Sequence, residues 1–143
     1  MKTKGTNGVG RISMVFEVAN YGDHTQAQRG LLPKNEVRRM TIEGVVDAGA
    51  AKLVLPEAVV KQLGLPPGNK IKVRYAEGRR GQRREAEGAY VELLGRHGAF
   101  SVINEPKRTA LIGAIVLEDL DLLVDCQLQR VVPRDPSGPV YEI

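Results

Sequence analysis

Residues 44–56, Gly-Val-Val-Asp-Ala-Gly-Ala-Ala-Lys-Leu-Val-Leu-Pro, constrain this chain more than any other stretch. An apolar run ends in a glycine turn that carries Asp47, and a second apolar run follows. Because Asp bonds to its own backbone and Gly tolerates positive φ, this composition is typical of a tight turn between strands. Such a turn holds a carboxylate on a rigid support, where acid–base chemistry is often found. Most Asp-Gly turns do no chemistry, so this segment alone leaves a catalytic and a plain turn both open.

Composition favours one domain built mainly from strands. The 143 residues are 42% hydrophobic but only 4% aromatic, so the core must consist of Val, Leu, Ile and Ala, which suits short strands. We predict a mostly β domain over residues 11–133, between a flexible N-terminus (1–10) and a C-terminal tail (134–143). The lone Cys126, taken as a strand residue, excludes an internal disulfide. No signal peptide or spanning segment is recognisable, so we expect a cytoplasmic location and no membrane partner.

Hydrophobic periodicity and Gly/Pro positions predict the individual elements. The segment 21–34 is expected to be a polar loop, and residues 77–82 the tip of a long β-hairpin. Pro56 and Gly64 bracket a helix over 56–63, and a second helical turn is expected over 114–120. The predicted strands cover 11–20, 37–47, 52–55, 70–76, 84–94, 99–104, 109–112 and 122–132.

A second segment, residues 110–118, repeats the pattern of an apolar strand running into glycine and then a short helix. With the Asp47 turn it resembles the retropepsin-like aspartic peptidases, in which Asp-Thr/Ser-Gly-Ala carries the catalytic carboxylate and a later hydrophobic-hydrophobic-Gly brackets it. The likeness covers most of the chain and is closest to the bacterial and archaeal single-domain members. The matching motifs, in order, are Asn20 to Asp23, the Asp47 turn, Leu63-Gly64-Leu65, Leu111-Ile112-Gly113, and Leu117 to Leu120.

The resemblance implies a single-domain acid-protease fold with one or two short helices and a flap, the hairpin that closes over substrate. It implies that Asp47 is catalytic. Gly49 and Ala50 would contact substrate, together with Glu77, Gly78 and Arg79 of the flap. Active-site or dimer support would come from Ala48, Leu111, Ile112 and Gly113.

Aspartic peptidase chemistry needs two carboxylates that share a proton, because like charges at that distance cannot both ionise. One acid activates a water that attacks the peptide carbonyl, while the protonated acid hydrogen-bonds the carbonyl oxygen. The chain has a single such turn, so two subunits would each supply Asp47 across a two-fold axis. The expected partners are therefore a second copy of the chain and a polypeptide substrate, with no cofactor and no metal.

Ala48 departs from the family pattern, which has Thr or Ser after the catalytic Asp. In the family this hydroxyl bonds to the partner subunit's backbone, so its loss should weaken a dimer. A hydrogen bond contributes about 1 kcal/mol, lost twice in a symmetric pair. Natural tolerance, decayed activity and an introduced change are all compatible with Ala48. A peptidase-fold protein that binds peptides without cleaving them is therefore an alternative.

A rival interpretation rests on residues 53–73, which resemble the swapped-hairpin DNA-binding domains of AbrB-type regulators. Lys70, Lys72, Arg74 and the hairpin arginines would then neutralise phosphates. Those domains are about half this length, and the rival leaves the Asp47 turn and the Leu111-Ile112-Gly113 segment unexplained, so a nucleic-acid partner is not expected. In the peptidase interpretation the basic hairpin tip could prefer acidic peptides, but it is more simply explained as a solvated surface kept soluble by charge. Its cations are Arg79, Arg80, Arg83 and Arg84.

Overall fold

Strands dominate the computed structural model, which describes residues 11–106 and 109–143. The predicted N-terminal segment 1–10 lies outside these residues. The mostly β class with a long hairpin and short helices is confirmed. The strands are β1 Ile12–Asn20, β2 Arg39–Val46, β3 Leu53–Pro56, β4 Pro67–Arg74, β5 Arg80–Leu93, β6 Arg96–Glu105, β7 Ala110–Ile112, β8 Leu122–Asp125 and β9 Arg130–Pro133. The helices are α1 Tyr21–Gln28, α2 Glu57–Leu63 and α3 Ala114–Asp119, with a 3-10 turn at Lys34–Glu36.

Six strands close into a ring in the order β1-β2-β7-β3-β6-β5, because β5 pairs with both β6 and β1. Along the edge opposite β6, strand β5 pairs with two strands in succession: its first half pairs with β4 and its second half with β1. The register shifts between Ala86 and Ala89, where Gly88 has φ 74°. The ring hides the edges of its own strands, so β4 is left as an edge strand outside it.

The inside of the ring is filled by aliphatic side chains, as the composition predicts. Strand β1 alternates as expected, with Ile12, Phe16 and Val18 buried in the core. The helices α2 and α3 cover the ring with Leu63 and Val116, both fully buried. No helix in the described ranges is long and apolar enough to cross a bilayer.

The prediction of a polar loop over residues 21–34 is wrong, because Tyr21–Gln28 form the helix α1. The helix has no buried residue, so it shows no hydrophobic period that could have predicted it. Its start is fixed instead by Asn20, whose side-chain oxygen accepts a hydrogen bond from the Asp23 backbone N–H at 2.9 Å. Capping of this kind satisfies a backbone donor that the first turn of a helix leaves unpaired.

The assignment of Cys126 to a strand is also wrong. Cys126 is exposed in the turn between β8 and β9. Asp125 makes this turn by accepting hydrogen bonds on Oδ1 from the N–H groups of Gln127 and Leu128, at 3.1 and 3.0 Å. An Asp side chain that bonds to the backbone ahead of it competes with strand pairing, so the predicted strand 122–132 is split in two.

Residues of the predicted C-terminal tail contact the domain. Arg134 forms a two-point ion pair with Asp121, at 2.7 and 3.0 Å. The Tyr141 hydroxyl donates to the Asp119 carbonyl oxygen. Asp121, at φ 58°, also accepts from the Val140 N–H at 2.9 Å, so one carboxylate organises this corner. These contacts link the end of the chain to the turn after α3.

Candidate active site

Asp47 lies directly after the last residue of β2, where the chain leaves the ring. Its backbone N–H donates to the Ile112 carbonyl oxygen at 3.0 Å, which extends the parallel pairing of β2 with β7 by one residue. Its carbonyl oxygen accepts from the Ala50 N–H at 3.0 Å and closes the turn. Val46 before it is buried, whereas Asp47, Ala48 and Gly49 are exposed. The acid is thus carried on fixed backbone at the surface of the domain.

The two oxygens of the Asp47 carboxylate have different surroundings. Oδ1 accepts a hydrogen bond from the Gly49 N–H at 2.9 Å, which orients the side chain. Within the described part of the chain, no hydrogen bond or ion pair is made to Oδ2. A carboxylate held through one oxygen keeps the other for a water or for a second acid. This arrangement can supply one half of an acid pair.

Gly113 packs against the loop that follows Asp47 and leaves no space for a side chain. A Cβ at this position would lie 2.2 Å from the Lys52 carbonyl oxygen and 2.7 Å from that of Ala50. The next residue continues the contact, since the Ala114 N–H donates to the Ala50 carbonyl oxygen at 2.8 Å. The start of α3 therefore holds the end of the acid turn, at Ala50 and Lys52, in place. Only glycine fits at position 113, because any Cβ would meet these carbonyl oxygens.

These contacts bring together most of the residues that the sequence singled out. The acid turn, Asp47 to Ala50, lies against Ile112 and Gly113. Leu111 pairs with Val45 of β2 and Val54 of β3, so it sits on the strand that supports the turn. Their roles in substrate binding and dimer support stay predictions.

The hairpin tip forms a separate cluster. Strands β4 and β5 pair as far as Arg74 and Arg80, so the tip is residues 75–79 rather than the predicted 77–82. The Tyr75 N–H donates to the Arg79 carbonyl oxygen at 2.8 Å. The Arg79 guanidinium lies 3.2 Å from a Glu77 carboxylate oxygen and 4.0 Å from the centre of the Tyr75 ring. For the described residues, the bonds of Glu77, Gly78 and Arg79 are to this tip and not to the Asp47 turn.

A buried acid that the sequence did not single out anchors the hairpin. Glu105, at the end of β6 and 7% exposed, accepts from the Tyr75 hydroxyl at 2.6 Å and from Arg83 Nε at 2.9 Å. Burial and the adjacent Glu105 raise the pKa of Tyr75, and the same carboxylate raises the pKa of Arg83. Glu105 is far from both partners in sequence, so only the pairing register of β4, β5 and β6 reveals the cluster.

Lys52 ties the acid loop to the other side of the ring. Its ammonium group lies 2.7 Å from a Glu85 carboxylate oxygen on β5 and 2.9 Å from the Ser101 hydroxyl on β6. The side chains of Lys52 and Glu85 are 28% and 14% exposed, so the ion pair is partly shielded from water. Lys52 therefore joins the loop after Asp47 to both β5 and β6, and its contacts are those of a structural tether.

The segment Asn20 to Asp23 is structural. Asn20 is 5% exposed, and its amide donates to the carbonyl oxygens of Leu63 and Gly64 at 2.9 and 3.2 Å, which joins the end of β1 to the end of α2. Asp23 binds the Arg38 guanidinium through both oxygens, at 2.7 and 2.9 Å. These hydrogen bonds lower the pKa of Asp23. Both carboxylate oxygens of Asp23 are therefore bound to Arg38, whereas Asp47 accepts a hydrogen bond on Oδ1 alone within the described residues.

The described residues contain no group of three or more His, Cys, Asp and Glu side chains that could hold a metal ion. The two histidines take part in ring stacking instead. His24 stacks on Tyr90 with ring centres 4.1 Å apart, and His97 lies at 5.7 Å from the same ring.

Comparison with solved structures finds similarity to two retroviral proteases. One is EIAV protease complexed with the inhibitor HBY-793, with 20% sequence identity and a TM-score of 0.47 over 56% of this chain and 77% of that chain. The other is the solution structure of simian foamy virus (mac) protease, with 15% identity and a TM-score of 0.45 over 73% and 91%. No family model and no curated protein matches the chain. Both TM-scores are below 0.5.

Proposed function

We propose that this chain is a retropepsin-like aspartic endopeptidase that acts as a homodimer, within the bacterial and archaeal single-domain branch that its motif order resembles. Asp47 of each subunit would contribute one acid to a shared-proton pair. The pair would activate a water, which attacks the substrate carbonyl while the second acid hydrogen-bonds the developing oxyanion. Because the two acids interact strongly, their titration would belong to the pair and not to either residue.

One observation carries this proposal. The backbone and Oδ1 of Asp47 are held by hydrogen bonds to backbone groups, whereas Oδ2 has no partner among the described residues. Gly49 N–H fixes Oδ1, Ile112 fixes the Asp47 backbone, and Gly113 fits against the loop that follows. Fixing the acid before substrate arrives lowers the cost of orienting it in the reaction. A single exposed acid of this kind is half of a catalytic pair, and a symmetric dimer supplies the other half.

The β4–β5 hairpin has the properties that a flap needs. Glu105 holds the hairpin close to its tip, through Arg83 of β5 and through Tyr75, the first of five tip residues that two backbone hydrogen bonds close. Ile71 and Val73 lie half-buried on the same face as Arg83, and this face would cover an extended peptide. Glu77, Gly78 and Arg79 at the tip would reach the substrate on closure.

The single Cys126 favours a reducing, cytoplasmic location.

The first test measures cleavage and assembly on the same preparation. Denatured casein is incubated between about pH 3 and pH 7, the range in which a proton-sharing carboxyl pair is active, and mass is measured by sedimentation. We expect cleavage by a dimer and at least about a 100-fold loss in Asp47→Asn. The matched control is Asp119→Asn, another exposed Asp, which should keep activity. A monomer that cleaves, or an Asp47→Asn variant that cleaves normally, contradicts the proposal.

The second test separates an active enzyme from a peptide-binding relative. Ala48→Thr restores the hydroxyl that the family uses between subunits, so it should tighten self-association and raise cleavage. If Ala48→Thr tightens the dimer without producing any cleavage, the non-catalytic peptide-binding alternative is favoured. Circular dichroism of both proteins checks that the substitution leaves the fold unchanged.

A further inference from the structure

The β4–β5 hairpin concentrates the positive charge of the protein. Residues 67–86 contain seven Lys and Arg and two acids, a net of five positive charges, whereas the whole chain carries +4. The rest of the chain therefore has a net charge close to zero, and the hairpin carries the excess positive charge. A concentration of charge on one element is the usual electrostatic footprint of a polyanion-binding surface.

The register between β4 and β5 places five of the seven Lys and Arg residues on one face of the hairpin. Residues that lie opposite each other in an antiparallel pair share a face, and so do alternate residues of one strand. One face therefore carries three cross-strand pairs, all exposed to solvent. This outer basic face consists of Lys70 and Arg84, Lys72 and Gln82, and Arg74 and Arg80.

The outer basic face contains no acid and no large apolar side chain. Its charges are unmatched: across the described ranges, Lys70, Lys72, Arg74 and Arg80 form no ion pair, and Arg84 donates to the Gly68 carbonyl oxygen at 2.9 Å. By contrast, the cations that do form ion pairs in the hairpin, Arg79 and Arg83, lie at the tip or on the opposite face. A depression of about 580 Å³ is bordered by Lys72, Arg74, Arg80 and Gln82 together with Val73 and Gly81.

We infer that the outer basic face binds the phosphate backbone of double-stranded nucleic acid. Alternate side chains of a strand are about 7 Å apart and neighbouring strands are about 5 Å apart, so the five cations form a two-row grid that can contact several phosphates at once. A two-stranded ribbon also fits the width of a duplex major groove. The Lys, Arg and Gln side chains of this face are suited to phosphate and base-edge contacts.

Other polyanions fit this surface less well. A membrane-binding surface normally adds apolar side chains that insert between lipids, and the outer basic face has none. An acidic peptide added to the β4 edge would meet only the row formed by Lys70, Lys72 and Arg74, and would leave Arg80 and Arg84 without partners. Charge that only protects an edge strand from aggregation would lie on β4, whereas Arg80 and Arg84 of the outer basic face lie on β5.

The outer basic face lies on the opposite side of the hairpin from Ile71, Val73 and Arg83, the face that would cover substrate in the proposed peptidase. The sequence alone did not favour a nucleic-acid partner, because the DNA-binding resemblance left Asp47 and the Leu111-Ile112-Gly113 segment unexplained. Assigning nucleic-acid binding to the outer face of the hairpin alone removes that conflict, since Asp47 is held on β2 and β7 and the other face of the hairpin stays available to cover substrate. The two functions can therefore be tested independently.

The test is fluorescence anisotropy of a labelled 20-base-pair duplex of mixed sequence, titrated with the full-length protein at about 50 and 200 mM salt. If all five cations contact phosphates, the salt slope is about −4.5 and affinity falls about 500-fold between these conditions. The variant Lys72→Gln/Arg74→Gln removes two contacts, so the fall should shrink to about 40-fold. The control Lys34→Gln/Lys61→Gln removes the same charge from exposed positions elsewhere and should keep the original slope.

Two further probes identify the polyanion. Polyglutamate and vesicles containing phosphatidylserine are titrated under the same conditions, and circular dichroism confirms that each variant is folded. We expect the duplex to bind most tightly. The inference is overturned if the duplex does not bind at 50 mM salt, if both double variants lose affinity equally, or if either of the other polyanions binds more tightly than the duplex.

Discussion

Two aspartates of this chain, Asp23 and Asp47, each follow a strand of the ring and each make contact with nearby backbone, yet their carboxylates are used differently. Asp23 accepts three hydrogen bonds from Arg38, two from the guanidinium and one from the backbone N–H. Asp47 accepts one, from the Gly49 N–H, on a single oxygen. The position of an acid after a strand therefore does not by itself define a candidate site. What distinguishes Asp47 is that one of its carboxylate oxygens has no hydrogen-bond partner among the described residues.

Neutralising each acid in turn should give the largest difference between Asp23 and Asp47. Asp47→Asn should reduce cleavage at least about 100-fold and change the free energy of unfolding by less than about 0.5 kcal/mol, because its side chain is exposed. Asp23→Asn should do the reverse, lowering stability while keeping cleavage. Peptidase assays and urea unfolding of the same preparations measure both effects. Equal loss of cleavage in the two variants would remove the distinction.

Gly113→Ala should have the next largest effect, because the added Cβ would meet backbone oxygens that cannot move independently. We expect a loss of about 3 kcal/mol or more in the free energy of unfolding, and a loss of cleavage if the turn is displaced. The matched control is Gly81→Ala on β5, where the nearest atom to a new Cβ is 3.5 Å away at the end of the flexible Arg83 side chain. A Gly113→Ala variant as stable as this control would contradict the close packing.

Asn20→Ala tests the structural role of the segment that contains Asp23. The change removes the cap of α1 and leaves two carbonyl oxygens without their shared donor, that of Leu63 in a buried contact and that of Gly64 in a partly buried one. We expect destabilisation by about 2–3 kcal/mol in urea unfolding. Asn69→Ala, at an exposed position of β4, is the control and should stay within about 0.5 kcal/mol of the parent.

The smallest expected effect is the pH dependence of stability that Asp23 contributes. Its folded-state pKa is lowered from 3.8, so the stabilisation is present above that value and is lost as the pH falls through the lower folded-state pKa. Because Arg38 is half exposed, the effect at neutral pH should be about 1 kcal/mol. The difference in unfolding free energy between the parent and Asp23→Asn should therefore shrink on acidification. A difference that is constant from neutral to strongly acidic pH would rule out this ion pair as its cause.

The sequence predicted the strands and the acid turn well, because alternating apolar residues and Gly or Pro at element ends are local signals. It missed α1 because that helix is polar on every side, although the Asn20 cap with Asp23 three residues later is a start signal that sequence contains. The Glu105 anchor and the outer basic face could not be predicted in the same way. Both depend on the register between strands that are distant in sequence, which local patterns do not determine.

The parallel pairing of β2 with β7 also governs when the acid turn can form. Asp47 is supported by Ile112 and Gly113, which lie more than sixty positions later in the chain. During synthesis from the N-terminus, a nascent chain therefore displays the acid long before its support has left the ribosome. Pairing across such a separation is entropically slow, so the turn is among the last parts of the ring to become rigid. In the proposed peptidase, cleavage would consequently begin only after synthesis of the domain is almost finished, which would limit premature cutting of neighbouring nascent chains.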